Sequence, residues 1–200
     1  MANVELQRVG TYSLTEVLRV SSTSTSYLSK QPHKKDCIVK RLNIPFPNNE
    51  AKEAFLVHAN RLKKLGNRNI LRVSDFGLDG DYGYLVTEAI NGEPLHQFMP
   101  VGKLYKAADL RILISHVTDG LQYAHTHHVI HGNLCPATIL AKSTHEFVLT
   151  DFSLSLPACE LVRDDLEFAI PYMAPEQLAG QPSAASDQYA LAVIAYELLC

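Results

Sequence analysis

The sequence predicts an α+β fold with two lobes, in which a β-rich part precedes a mostly helical part. Two observations carry this prediction. In the first 88 residues, short runs alternate between polar and apolar side chains around a single helical pattern, whereas apolar residues recur at helical spacing after Asn91-Gly92. The length of 200 residues suits one large domain or two small lobes. We therefore predict a first lobe at residues 1–88 and a second lobe at residues 89–200.

Alternating patterns predict the strands of the first lobe. Residues 12–41 indicate two or three antiparallel strands, interrupted by a Ser/Thr-rich break at 21–26. The clearest strand lies at 36–41. Two further strands, near 70–76 and 82–87, are separated by a Gly-Asp pair that favours a tight turn. Together these strands are expected to form a sheet.

One helix is predicted in the first lobe. Asn48 and Asn49 can cap its N-terminus, because an Asn side chain accepts a hydrogen bond from a free backbone N–H, and Gly66 would end it. Its apolar residues recur at three- and four-residue spacing: Phe55, Ala59, Leu62 and Leu65. This pattern predicts an amphipathic helix with one buried stripe.

Helical spacing dominates the second lobe, where a long helix is predicted at 107–127. One face of this helix carries Leu110, Leu113, Val117, Leu121 and Ala124. Short apolar runs at 138–141 and 147–149 indicate a small hairpin, and an irregular stretch follows at 151–175. A last helix at 185–199 is apolar on nearly every side and is therefore expected to lie in a core.

Composition excludes several classes of protein. Lys and Arg number 18 and Asp and Glu 21, so the formal net charge is −3 and nucleic acid is not the expected partner. No apolar run of about 18 residues is present to cross a bilayer, and the N-terminus lacks the basic stretch and apolar segment of a secretory signal. The four cysteines are too scattered for a paired metal or redox motif. We expect a cytoplasmic protein that does not insert into membranes.

Several motifs resemble those of the protein kinase family, in the family's order, and their cadence is closest to bacterial serine/threonine kinases. Residues 37–40 resemble the strand that carries the ATP-pairing lysine, and residues 131–138 resemble the catalytic loop. Residues 151–153, Asp-Phe-Ser, resemble the metal-binding Asp-Phe-Gly motif, and residues 174–176 are the Ala-Pro-Glu motif. Asp187 resembles the aspartate that anchors the catalytic loop. The resemblance covers nearly the whole chain and implies a two-lobed kinase fold.

The resemblance also implies a nucleotide site. Its expected residues are Ser26, Ile38, Lys40, Thr87, Glu88, Ile90 and Leu140. Lys40 would pair with the phosphates, and Thr87 would be the gatekeeper of the hinge. Ile38 replaces the alanine, and Ser26 the valine, that cover the adenine in the family, so the pocket is expected to be narrow and the base poorly held. We expect ATP to bind weakly or not at all.

Two further parts of the phosphate machinery depart from the family. Its loop glycines let the backbone approach the phosphates, and their three positions fall on Arg19, Ser21 and Ser24. The helix glutamate that would hold the lysine falls on His58, and Glu53 lies more than one helical turn away from that position. Both departures weaken the expected grip on a nucleotide.

The catalytic loop departs from the family at three functional positions. Asn133 stands at the position of the base, where a neutral amide cannot take a proton. Cys135 replaces the lysine that steadies the transferred phosphoryl group, and Thr138 replaces the asparagine that holds the second metal. Asp151 is retained, so Asp151 and Thr138 would hold Mg²⁺ if a nucleotide binds. With His131, these residues form the candidate catalytic and metal-binding set.

Four histidines crowd residues 125–131 and raise the question of a metal site. No Cys or carboxylate lies at ligand spacing nearby, and His131 already has a place in the kinase-like loop. We therefore expect no zinc site. Hydroxyl groups at Ser153, Ser155 and Tyr172 are candidate phosphorylation sites.

Three functions are compatible with these departures. The leading hypothesis is a catalytically inactive kinase-like module, a pseudokinase, that binds protein partners as a scaffold or regulator. One alternative is a divergent serine/threonine kinase that transfers the ATP γ-phosphate to a protein hydroxyl, and another is a sensor that binds nucleotide without transfer. The first hypothesis needs no cofactor, whereas the alternatives need ATP, at least weakly bound, with Mg²⁺.

The resemblance finally implies a helical lobe that is incomplete. Protein kinases continue beyond the helix predicted at 185–199, with further helices and an arginine that pairs with the glutamate found here as Glu176. Apolar side chains at 189–199 would then be partly uncovered. We expect a protein partner or a homodimer at this helix.

Overall fold

The computed structural model describes residues 8–30, 35–100, 102–103, 105–154 and 169–199. They form two compact units. The described residues up to Lys64, together with Arg72–Ala89 and Leu154, form the first unit. The second unit contains Leu65–Leu71, Ile90–Ser153 and the described residues from Ala169 onward. Leu65–Leu71, which the sequence assigns to the first lobe, thus group with the second unit.

The first unit is built on an antiparallel sheet. Its strands are β1 (Arg8–Val9), β2 (Tyr12–Ser13), β3 (Glu16–Val20), β4 (Ser24–Ser29), β5 (Cys37–Leu42), β6 (Val73–Asp79) and β7 (Tyr82–Glu88). Strands β1 and β2 form a separate hairpin, and the other five are ordered β3-β4-β5-β7-β6. The Ser/Thr-rich break predicted at 21–26 is shorter than expected, because Ser24 already begins β4. Strand β4 pairs with β3 on one side and with β5 on the other, and its Ser and Thr side chains are compatible with both pairings.

One face of the five-stranded sheet packs against the β1–β2 region. Val39 in β5 lies opposite Val86 in β7, and the β1–β2 region packs Val9 and Leu14 against this face. Alternate residues of a strand point to opposite faces. Because Lys40 follows Val39 directly in β5, its side chain lies on the opposite face of the sheet.

Helix α1 (Asn49–Lys64) belongs to the first unit and forms as predicted. The Oδ1 atom of Asn48 accepts a hydrogen bond from the Ala51 N–H at 2.8 Å, so Asn48 caps the helix. Its buried residues are Ala51, Phe55, Ala59 and Leu62. The predicted stripe is confirmed for Phe55, Ala59 and Leu62, whereas Leu65 is buried but lies beyond the end of the helix.

The second unit is mostly helical. Its elements are β8 (Glu93–Pro94), α2 (Leu95–Phe98), α3 (Ala107–Thr126), β9 (Ile139–Ser143), β10 (Glu146–Leu149), a 3-10 turn (Ile170–Tyr172), α4 (Pro175–Leu178) and α5 (Ala184–Leu199). The predicted face of α3 is buried, and β9 and β10 form the predicted hairpin. Strand β8, which the sequence did not predict, adds a third strand beside β9.

Helix α5 is buried along one face, through Ser186, Asp187, Ala190, Ile194 and Leu198. The side chains of Tyr189 and Tyr196 are exposed. Burial on nearly every side, as its composition suggested, is therefore not found in the described chain. None of the helices in the described parts combines the length and apolar character that a bilayer crossing requires.

Candidate functional site

In the first unit, the sheet brings four of the predicted nucleotide-site residues to one face. Ser26 in β4 lies opposite Lys40 in β5, and Ile38 lies opposite Thr87 in β7. Directly opposed residues of an antiparallel pair share a face, and all four side chains are half-buried. Glu88 follows in β7 and is exposed. The structure thus groups Ser26, Ile38, Lys40 and Thr87 as the resemblance implies.

In the second unit, Asp187 organises the start of the loop at 131–138. Its carboxylate accepts hydrogen bonds from the backbone N–H groups of His131 at 2.9 Å and Gly132 at 2.8 Å. The Nε2 atom of His125 lies 2.7 Å from Asp187 Oδ2. Asp187 is 1% exposed, so these donors satisfy a buried carboxylate on α5.

His131 is a packing residue of this loop. Its fully buried ring stacks on Phe152 with the ring centroids 4.4 Å apart, and its carbonyl accepts the Ser153 N–H at 2.7 Å. Burial lowers the pKa of His131 because the charged imidazolium would lose its hydration. His131 therefore joins the catalytic-loop segment to the Asp-Phe-Ser segment as a neutral ring.

Asn133, at the position of the base, is used to hold the backbone. Its Nδ2 atom donates to the carbonyl oxygen of Asp151 at 3.3 Å, and its backbone N–H donates to Nδ1 of His131 at 3.3 Å. Asp151 has a left-handed backbone with a φ of +55°. The amide of Asn133 therefore stabilises the segment that carries Asp151.

Thr138, at the metal-ligand position, is 4% exposed. Its Oγ1 atom accepts the Cys135 N–H at 3.1 Å and lies 3.0 Å from the carbonyl oxygens of both Asn133 and Cys135. A hydroxyl has one proton to donate, and here that proton is directed to the loop's own backbone. Thr138 does not fit the role of ligand to the second metal of the family, because its hydroxyl group is bonded inside the turn.

Cys135 is buried in the same turn, and burial raises the pKa of its thiol. It is thus a neutral side chain where the family has a cation. Cys37 is also buried, with its Sγ atom 3.8 Å from the Ser29 carbonyl oxygen. Cys159 and Cys200 lie outside the described residues.

Ile90 and Leu140 lie in the second unit. Ile90 is half-buried, and Leu140 is half-buried on β9, opposite Val148 and Pro94. Each unit therefore carries part of the predicted nucleotide set.

Several side-chain hydrogen bonds near the loop were not predicted from the sequence. The Tyr172 hydroxyl donates to Glu197 at 2.7 Å, and burial together with this bond raises the pKa of Tyr172. Gln177 Nε2 donates to the Gly132 carbonyl at 2.7 Å. The Ser186 hydroxyl donates to Glu176 at 2.6 Å, which lowers the pKa of that carboxyl. A common sequence signal is absent, because each bond joins residues from different elements.

Two other predictions concern the histidines and the phosphorylation sites. Within the described ranges, no three His, Cys, Asp or Glu side chains converge as metal ligands would. Tyr172 is half-buried and bonded as above, Ser153 is half-buried, and Ser155 lies outside the described residues. Phosphorylation at these positions stays a prediction.

Three curated serine/threonine-protein kinases are similar in sequence to this chain. The serine/threonine-protein kinase PkaA of Streptomyces coelicolor is 32% identical over 153 residues, covering 72% of this chain and 28% of PkaA. PrkC of Bacillus subtilis is 25% identical over 197 residues, covering 95% of this chain and 30% of PrkC. PknA of Mycobacterium tuberculosis is 32% identical over 155 residues, covering 72% of this chain and 36% of PknA. The chain thus spans between 28% and 36% of the length of these curated relatives.

The fold and a family model agree with these relatives. The crystal structure of Rad53 1-466 in complex with AMP-PNP superposes with a TM-score of 0.75 at 21% identity, covering 94% of this chain and 48% of that chain. At this identity the likeness shows the fold alone. A model described as the protein kinase domain matches residues 17–200. Because that match takes in the sheet, the loop at 131–138 and the Asp-Phe-Ser segment, the chain belongs to the protein kinase family.

Proposed function

We propose that this chain is a pseudokinase module, a kinase fold that does not transfer phosphate and acts by binding protein partners. The single observation that carries the proposal is the use of Thr138. Its hydroxyl is buried and bonded to the backbone of residues 133 and 135, where the family places a metal ligand. Phosphoryl transfer depends on positioned charges and metal ions, and this position supplies neither.

The rest of the loop supports the same proposal. A general base must accept a proton from the attacking hydroxyl, whereas Asn133 carries a neutral amide that donates to the Asp151 carbonyl. Cys135 is neutral and buried where a lysine would steady the transferred group. The positions of Asn133 and Cys135 thus lack the charge that the family has there, and Thr138 is bonded inside the turn.

The nucleotide face of the first unit adds a second line of support. Ile38 and Thr87 lie opposite each other, so a branched side chain stands where the family has alanine next to the gatekeeper. The larger side chain reduces the room for an adenine ring. We propose that ATP with Mg²⁺ binds weakly or not at all.

A divergent serine/threonine kinase is the second candidate. Lys40 and Asp151 are both present, and the relatives named above are serine/threonine-protein kinases. A sensor that binds nucleotide without transfer would use the same two residues. These observations favour a retained nucleotide site more than they favour a retained reaction.

Phosphate transfer separates these functions. The chain is incubated with radiolabelled Mg-ATP, alone and with a mixture of basic protein acceptors, beside a Lys40→Ala variant. We expect equal, background incorporation in both samples. Incorporation that the wild-type chain shows and Lys40→Ala lacks would establish the kinase and overturn the pseudokinase proposal.

Nucleotide binding is measured separately by thermal shift with millimolar Mg-ATP. We expect no change in Tm that depends on Lys40. A rise in Tm that Lys40→Ala abolishes, without any transfer, would establish the sensor function.

Protein partners, rather than nucleic acid, are proposed because the net charge of −3 offers no field for a polyanion.

A further inference from the structure

The turn between β3 and β4 is closed by its own side chains. β3 ends at Val20 and β4 begins at Ser24, and the Ser21 N–H donates to the Ser24 carbonyl at 2.9 Å. The Ser24 N–H donates to Oγ of Ser21 at 3.0 Å, and that oxygen lies 2.9 Å from the Ser24 carbonyl oxygen. The backbone N–H groups of Ser21 and Ser24 are therefore both used inside the turn.

Asn43, which follows β5, fixes the outside of this turn. Its Nδ2 atom donates to the Ser21 carbonyl at 2.8 Å, and its backbone N–H donates to the Thr23 carbonyl at 2.8 Å. Its Oδ1 atom accepts the Thr25 hydroxyl at 3.0 Å. In an ordinary β-turn the carbonyl of the first residue accepts a hydrogen bond from the N–H of the fourth residue. Here the carbonyl of the first residue, Ser21, accepts from Asn43, which follows β5. One residue thus contacts both ends and the middle of the turn.

These bonds concern the positions where the family has glycines. A glycine-rich loop binds phosphate through backbone N–H groups that point at the ligand. Ser21 and Ser24 occupy two of the three glycine positions, and their N–H groups point to acceptors within the turn. A phosphate could reach these donors only if the turn opened and Asn43 lost its contacts.

We propose that Asn43 is a latch that holds this turn in one closed shape and keeps the backbone amides of Ser21 and Ser24 from a phosphate group. The inference rests on the proposed function, because it supplies a structural cause for the poor binding of a triphosphate. It is independent of the loop at 131–138, since every residue of the latch lies in the first unit.

Amide hydrogen exchange measured by NMR, without nucleotide, tests the latch. Asn43→Asp removes the donor to the Ser21 carbonyl but keeps an oxygen for the Thr25 hydroxyl, whereas Thr25→Val removes only that hydroxyl. Asn60→Asp, an exposed position on α1, is the matched control. We expect the backbone amides of residues 21 and 43 to exchange several-fold to about tenfold faster in Asn43→Asp than in the wild-type chain. The increase should be smaller in Thr25→Val and absent in the Asn60→Asp control.

Unchanged exchange in Asn43→Asp, with the α1 amide spectrum intact, would overturn the latch. A second arm adds inorganic tripolyphosphate to the wild-type chain and follows the Ser21 and Ser24 amide signals. We expect no saturable shift, and a saturable shift would overturn the claim that these donors are withheld. Phosphate transfer by a chain that shows the expected exchange would remove the proposed function and leave the latch standing.

Discussion

Gly132 has a left-handed backbone conformation, which residues with a side chain rarely adopt. Its φ is +64°, and a Cβ placed there would lie 3.1 Å from Cβ of Ser153. Gly80 is a matched position, because its φ is +63° and nothing lies within 4 Å of the corresponding Cβ. The left-handed conformation costs an L-residue about 1–2 kcal/mol. The two positions therefore share the left-handed backbone and differ in how crowded a Cβ atom would be.

Alanine at both positions separates strain from crowding. We expect Gly80→Ala to lower the free energy of unfolding by about 1 kcal/mol, and Gly132→Ala to lower it further because Ser153 must move. Urea denaturation measures both variants. A smaller loss at Gly132 than at Gly80 would contradict the crowding.

His131 links the stability of the second unit to pH. The ring is buried against Phe152, and burial holds its pKa below the ordinary value of 6.5. The carboxylates of Asp187 and Asp151 act in the opposite direction, and the ring of His125 acts in the same direction as burial. The unfolded chain takes up this proton near the ordinary pKa, whereas the folded chain takes it up only at lower pH. Between these pH values the unfolded state binds more protons, so stability falls as the pH decreases.

The expected loss appears on acidification below about pH 6.5, with a slope of up to about 1.4 kcal/mol per pH unit from this one proton. His131→Asn removes the titrating ring and should flatten the dependence, whereas His96→Asn, at an exposed position, should not. Denaturation midpoints measured from pH 8 to pH 5 supply the comparison. Equal slopes for the wild-type chain and His131→Asn would show that the folded and unfolded states take up this proton alike, and would contradict a lowered pKa of His131 in the fold.

At the scale of elements, Asn48 determines where α1 begins. Its Oδ1 atom satisfies the Ala51 N–H, which has no partner within the first helical turn. Asn48→Ala should cost about 1 kcal/mol in unfolding free energy. Asn60→Ala, in the exposed middle of the same helix, should cost nothing, because alanine is the better helix former. Similar losses in the two variants would rule out the cap.

Elements with long periodic patterns could be predicted from the sequence. The spacing of Phe55, Ala59 and Leu62 predicted the buried stripe of α1, because helical periodicity is a local property. β8 could not be predicted, since Glu93–Pro94 is too short for a pattern and exists only through pairing with β9. Elements that depend on a distant partner leave little local signal.

The same distinction applies to the candidate site. The resemblance implied that Ser26, Ile38, Lys40 and Thr87 belong to one site, and the strand register places these residues on one face. The resemblance could not predict that Thr138 bonds inward or that Asn43 clamps a turn. Those contacts depend on hydroxyl and amide orientations fixed only after folding. Inactivity of the site stays a prediction.

At the scale of the whole molecule, the segment Leu65–Leu71 belongs to the second unit although it follows α1 directly. The Leu71 N–H donates to the Leu149 carbonyl at 2.8 Å, and the Leu149 N–H donates to the Asn69 carbonyl at 2.8 Å. Asn69 Nδ2 also donates to the Phe147 carbonyl at 3.0 Å. The segment is therefore bonded to β10 by backbone and side chain.

This bonding predicts which substitutions expose the segment to solvent exchange. Phe55→Leu weakens the core of the first unit and Ile194→Val that of the second, each by about 1 kcal/mol, at side chains that are 0% and 1% exposed. Native-state hydrogen exchange should show the Leu71 and Leu149 amides losing protection together in Ile194→Val, with little change in Phe55→Leu. Loss of Leu71 protection in Phe55→Leu alone would place the segment with the first unit, because hydrogen bonds in one cooperative unit open together.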